Sequence, residues 1–130
     1  MPNWCQNEVT VIGNTQAEIL EFKKYVTDGR YDFVFDAIIP MPENIKETTY
    51  NHLETNAQPN WYDWAIENWG TKWDADDVQS VDTDKTTVVY YFDTAWSPPE
   101  PICAALRTKF PHLIISWFYR EDGVQISGWL

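Results

Sequence analysis

Lys72 lies between Trp69 and Trp73 in the run NWGTKWDADD, residues 68–77. A lysine beside indole faces makes cation–π contacts worth about 0.5–2 kcal/mol, and it can also anchor an anionic group. The rings would then form a stacking platform. A structural reading competes with this one. In it, Gly70 closes a helix, both tryptophans pack back on a sheet, and Lys72 neutralises Glu67, Asp74 or Asp76. The second cluster is TAWSPPEP, residues 94–101. A helix starting here would offer free N–H groups and a positive dipole end to an anion. Ser97 with Glu100 three residues later is placed to use those groups as a capping box, and the prolines suit the first turn. The candidate ligand-binding set is Trp69, Thr71, Lys72, Trp73, Trp96 and Tyr119. The candidate structural set is Asn3, Trp4, Asn7, Asn68, Gly70, Asp74, Thr94, Ser97 and Pro98.

Other chemistries are poorly served. Counted from Asp74 as a calcium loop, the sixth position is Gln79 rather than Gly and the twelfth is Lys85 rather than Glu. Cys5, Cys103, His52 and His112 lack zinc-ligand spacing. No phosphate loop or nucleophile elbow occurs. Cys5 paired with His52 or His112 stays open as a nucleophile and base, whereas Cys103 reads as core. No catalytic residue, metal or cofactor is assigned.

These residues need elements to hold them. CQNEVTVIG (5–13) alternates as a strand, with Cys5, Asn7, Val9 and Val11 on the face that helices should cover. A buried Asn7 would need partners for its donors and its oxygen, expected to be backbone groups of the TAWSPP or the NWGTKW loop. Thr15 with Glu18 predicts a capping box, and Ile19, Phe22, Tyr25 and Val26 recur at helical spacing up to Gly29. YDFVFDAIIP (31–40) reads as a second strand and 40–58 as an irregular loop. Residues 59–70 form a short helix, started by Pro59 or Asn60 and ended by Gly70. A hairpin follows, 77–81 and 86–93 with its turn at 82–85. A helix runs from Ser97 to Pro111 with Ile102, Cys103, Leu106 and Phe110 inward. A strand at 112–120 and a turn at REDG lead into a short terminal strand. The order predicts one α+β domain over 1–130. Its fold is a ferredoxin-like split β-α-β antiparallel sheet with helices on one face and an insertion at 40–76.

Composition narrows function further. The chain has 130 residues, 20 acidic and 9 basic, for a formal net charge of −11. Direct binding of nucleic acid needs clustered cations, so that class is set aside, and a basic host protein is the fitting partner. Two cysteines do not make a disulfide framework, and neither a signal peptide nor a membrane span is visible, so a cytoplasmic location is expected. Eight Trp, seven Tyr and six Phe exceed what a small core absorbs, so an aromatic surface is expected.

MPNWCQNEVTVIG, NWGTKWDA and FDTAWSPPEP, in that order, resemble the YubB ferredoxin-like family of plasmid- and phage-associated proteins. Asn3, Trp4, Cys5 and Asn7 carry the first motif, Asn68 to Asp74 the second, and Thr94 to Pro99 the third. The resemblance implies the ferredoxin-like fold and a mobile-element origin, and it implies no activity. The leading functional expectation is a non-enzymatic, acidic protein-binding module, in one version a nucleic-acid mimic directed at a host defence protein. The alternative is a binder of, or enzyme for, a small anionic ligand or nucleotide, with a Trp-lined pocket around Lys72. Oligomeric state is not specified by the sequence.

Overall fold

A computed structural model of the chain describes residues 3–50 and 59–130. Its centre is strand β1 (Trp4–Ile12), flanked by β3 (Thr87–Ala95) and β4 (Ile114–Glu121). Strand β2 (Asp76–Asp84) completes one side and β5 (Ile126–Trp129) the other, giving an all-antiparallel sheet of order β2-β3-β1-β4-β5. Helices α1 (Gln16–Val26) and α5 (Glu100–Lys109) are the two connecting helices of the split β-α-β unit. The fold is ferredoxin-like and α+β, with β5 as an added edge strand.

Alternation on β1 decides which face is core. Cys5, Asn7, Val9 and Val11 are buried, while Gln6, Glu8 and Ile12 are exposed. Val88, Tyr90 and Phe92 of β3 and Ile115 and Trp117 of β4 share the buried face. They pack against Ile19, Phe22 and Val26 of α1 and Ile102, Cys103 and Leu106 of α5. Phe33 lies at the heart of this layer, with its ring 4.9 Å from Phe92 and 5.0 Å from Tyr90. Each such side chain contributes roughly 1.5–3 kcal/mol through burial. The opposite sheet face carries Gln6, Glu8, Tyr91, Phe118 and Arg120 around a shallow depression of about 210 Å³. Helix α1 starts with the expected capping box: Glu18 N–H donates to Thr15 Oγ1, and Thr15 N–H donates to Glu18 Oε1.

Residues 31–40 do not form the expected strand. They run as a loop, exposed at Tyr31 and Asp32 and buried at Phe33 and Val34, into a short helix, α2 (Phe35–Ile38). An apolar run fits a strand or a buried helical turn equally well, and here tertiary contacts decide. The sheet positions beside β1 are filled by β3 and β4, and the Asp74 carboxylate accepts from the N–H groups of Phe35 (2.7 Å) and Asp36 (3.1 Å). The departure from the basic fold therefore begins directly after α1 rather than at residue 40. The segment expected as an irregular loop contains a helical turn, α3 (Glu43–Lys46); its part at 51–58, with His52, lies outside the described residues. The hairpin turn falls at Lys85–Thr86, not at 82–85, because Asp84 Oδ1 accepts from Thr86 N–H and Thr86 Oγ1 and lets β2 run on to Asp84. No described helix is long and apolar enough to cross a membrane.

Candidate functional site

Helix α4 (Trp61–Trp69) delivers the tryptophan-rich motif. Asn60 caps it, its side-chain oxygen accepting from Asp63 N–H at 2.9 Å. Gly70 ends it in the left-handed region at φ 82°, with its N–H donating to the carbonyls of Ala65 and Ile66. Glycine is required there for a second reason. A Cβ on Gly70 would sit 2.8 Å from Cδ of Pro101 and 3.4 Å from the carbonyl oxygen of Pro98. Chain reversal after α4 and close contact with the start of α5 thus meet at one residue.

The two motifs pack each other shut at this point. Thr71 is fully buried and donates through Oγ1 to the carbonyl of Ala95 at 2.8 Å. Ser97 Oγ donates to the carbonyl of Gly70 at 2.7 Å. The expected capping role of Ser97 is therefore not realised: α5 begins behind Pro99 with no side-chain cap, because the Ser97 hydroxyl is committed across the joint. Thr94 Oγ1 donates to the Ser97 carbonyl at 2.7 Å and accepts from Asn7 Nδ2 at 3.0 Å. Asn7 also donates to the Cys5 carbonyl at 3.1 Å, and its Oδ1 accepts from Trp117 Nε1 at 3.0 Å. Asn68 donates back to the Trp64 carbonyl at 2.9 Å, and Pro98 is buried. Trp96 projects outward from this joint, 53% exposed, with φ at 71° and its N–H donating to the Asn3 carbonyl at 2.8 Å. A bulky residue in that backbone region is strained by about 1–3 kcal/mol and is held there by its surroundings.

Beyond the joint the surface opens. A cleft of about 370 Å³ is lined by Asp36, Met41, Lys46, Trp61, Trp69, Lys72, Trp73 and Asp74. Trp69 is its buried wall; the indole N–H donates to the Ile39 carbonyl at 2.9 Å, and the ring packs edge-on to Phe35 and Trp64. Trp73 is its exposed wall at 40%, tilted against Trp4 at 6.0 Å. Lys72 Nζ lies 4.3 Å from the Trp73 ring centroid, so it contacts the indole rather than neutralising the expected carboxylates. Lys46 pairs with Asp36 at 2.8 Å and with Glu43 at 3.4 Å, and the Asp36 carboxylate holds its ammonium pKa above the ordinary lysine value.

Both carboxylates of the cleft are already engaged. Asp36 Oδ1 accepts from Met41 N–H at 2.7 Å. Asp74 accepts from three backbone N–H groups, those of Phe35, Asp36 and Ala75. Burial still holds its pKa above the usual carboxylate value, against the lowering effect of those bonds. Among the described residues no group of three or more His, Cys, Asp or Glu could hold a metal ion.

Of the expected ligand set, the structure brings Trp69, Lys72 and Trp73 into the cleft. Thr71 is buried in the joint, and Trp96 stands outside the cleft lining. Tyr119 is elsewhere too: it covers Gly128 on β5, where an added Cβ would lie 3.1 Å from its hydroxyl. Met41, Lys46, Trp61 and Asp36 were not expected in the site. The first two lie in a segment without periodicity, and Asp36 lies in the run expected as a strand. The nucleophile–base reading fails for Cys5 with His112. Cys5 is fully buried, burial pushes its thiol up to about 11, and His112 sits beside Glu18 at 3.3 Å.

Residues 68–129 match a family model described as a ferredoxin-like domain in Api92-like protein. The crystal structure of protein Api92 from Yersinia pseudotuberculosis is similar to this chain with a TM-score of 0.68. The likeness covers 99% of this chain and 93% of that one at 9% sequence identity, and it speaks for the fold. No curated protein matches the chain. The matches name Api92-like proteins; the YubB family is not among them.

Proposed function

We propose that this molecule is a non-enzymatic binding module whose cleft takes a small, planar, anionic ligand. The observation that carries this reading is the convergence of Trp61, Trp69 and Trp73 with Lys46 and Lys72 in one open cleft of about 370 Å³. Ligand sites of this size are concave, mostly apolar and furnished with a few oriented polar groups. Trp73 offers an exposed ring for stacking, and base–indole stacking is worth about 1–3 kcal/mol. Lys72, whose partner is the Trp73 ring, can turn its ammonium to a phosphate or carboxylate without breaking an ion pair. Lys46 is already positioned by Asp36. Titration with nucleoside monophosphates should quench tryptophan fluorescence saturably. The quench should shrink in Trp73→Phe and weaken in Lys72→Ala, with melting temperatures close to that of the parent. A nucleotide panel that changes neither fluorescence nor melting temperature rejects the reading.

A second reading rests on the acidic edge. Asp76, Asp77, Asp82 and Asp84 are exposed on β2. Burial, and then the charges of Asp77 and Asp76, hold the Asp93 carboxyl above its ordinary pKa. A basic protein seated on this edge would relieve that repulsion. This is the expected acidic module of mobile-element origin, with a host nucleic-acid-binding defence protein as its target. Pull-down from host lysate should recover a basic protein at low salt and release it at high salt. Recovery of no basic protein at low salt counts against it.

A further inference from the structure

The uncovered sheet face has a pattern that the cleft does not use. Two neighbouring rungs cross its centre. Asp93, Gln6 and Arg120 lie side by side on β3, β1 and β4, and Tyr91, Glu8 and Phe118 form the next rung. Gln6, Glu8, Tyr91 and Arg120 are exposed, and Phe118 is half-buried. We infer that this face docks a second copy of the same chain, about a two-fold axis that lies between the two rungs and perpendicular to the strands.

That axis places each rung over the other rung of the partner, as an isologous contact demands. Arg120 then meets the partner's Phe118, a guanidinium over a ring. Gln6 meets the partner's Glu8, an amide donor against a carboxylate. Asp93 meets the partner's Tyr91, a carboxylate against a phenol hydroxyl. All three pairs are complementary in charge or hydrogen bonding. The competing axis, parallel to β1, would pair Arg120 with the partner's Asp93 and Tyr91 with the partner's Phe118, but it sets Glu8 directly against the partner's Glu8 at the centre of the contact, where like charges are unfavourable.

The overlap runs from about the Trp4 rung to the Thr10 rung, about 20 Å along the strands and about 24 Å across five strands. That is roughly 500 Å² from each copy, or about 1,000 Å² in all, the lower limit for a specific interface and typical of transient ones. Each copy carries a net charge of −11, so association is favoured at about 0.15 M salt, where charges more than ~8 Å apart are screened.

Sedimentation equilibrium over a concentration series tests this. A monomer–dimer equilibrium in the micromolar range is expected. Arg120→Glu should weaken it at least about tenfold while the chain stays folded by circular dichroism, because Arg120 is exposed and its partners Gln6 and Asp122 are surface groups. A monomer at several hundred micromolar, or a dimer indifferent to Arg120→Glu, overturns the proposal. Register is tested by cross-linking with a bismaleimide about 10 Å long, which matches the spacing of face-to-face sheets that a disulfide cannot span; the native Cys5 and Cys103 are buried and do not compete. A mixture of Gln6→Cys and Glu8→Cys chains should cross-link faster than either alone. Faster cross-linking of Glu8→Cys with itself places the axis along β1 and overturns the arrangement.

Discussion

Asn7 uses its side-chain donors and its acceptor inside the core, tying β1 to Thr94 on one neighbouring strand and to Trp117 on the other. Truncation to Ala would leave the Trp117 N–H and the Cys5 carbonyl short of partners in a dry environment. Each unsatisfied group costs about 1–3 kcal/mol, so Asn7→Ala should lower unfolding free energy by about 2–4 kcal/mol, read from urea denaturation. Asp93 acts in the opposite sense. Its native pKa is raised, chiefly by burial and then by Asp77 and Asp76. Its contribution is intact below the unfolded carboxylate value and is lost as pH rises through the raised native one. Asp93→Asn should therefore raise the melting temperature near pH 7 and leave it unchanged near about pH 2.5. The residue-scale features legible in the sequence were those with local partners. Thr15 and Glu18 are three apart, and the chain itself brings them together. The partner of Ser97 is 27 residues away at Gly70, and no local pattern announces it.

At the scale of elements, the two left-handed glycines separate local from tertiary constraint. Gly29 has φ 89° and nothing within 4 Å of the place a Cβ would occupy, whereas Gly70 would drive a Cβ into Pro101. Gly29→Ala should cost about 1–2 kcal/mol for the backbone alone. Gly70→Ala should cost a further ~1–3 kcal/mol, because α5 must shift to relieve the overlap. Chemical denaturation of the two variants side by side checks the difference. The same distinction explains which elements could be read in advance. Strands β1 and β4 and helices α1, α4 and α5 carry their own periodicity and end signals. The run 31–40 carries none that separates strand from helix. Its form is set by Asp74, 39 residues from Phe35, and by a sheet with no vacancy beside β1.

For the whole molecule, the excess of acidic charge acts against compactness. Twenty acidic groups face nine basic ones, and the ion pairs, such as Lys23 with Asp82 and Arg120 with Asp122, are on the surface and worth little. Net repulsion should dominate the salt response. Raising sodium chloride from about 0.02 to about 0.5 M should increase the melting temperature, because screening weakens long-range repulsion. A fall in melting temperature would show that the surface ion pairs outweigh it. The candidate cleft belongs to this scale too, since its walls come from four separate stretches of chain. Trp69, Lys72 and Trp73 were visible as a motif; the Lys46 and Met41 that complete the cleft became visible only when the chain closed around α4.

The joint between Gly70 and the Pro98–Pro101 turn has an evolutionary corollary. A side chain at position 70 is excluded by the proline at 101, and the hydroxyls at 71 and 97 are used by the opposing backbone. Across relatives these positions should therefore persist or drift together, as mated parts of one fastening. Invariance there would record mechanical dependence between two segments. The positions free to diverge with a change of ligand would be those just outside it, at 46, 61, 72 and 73.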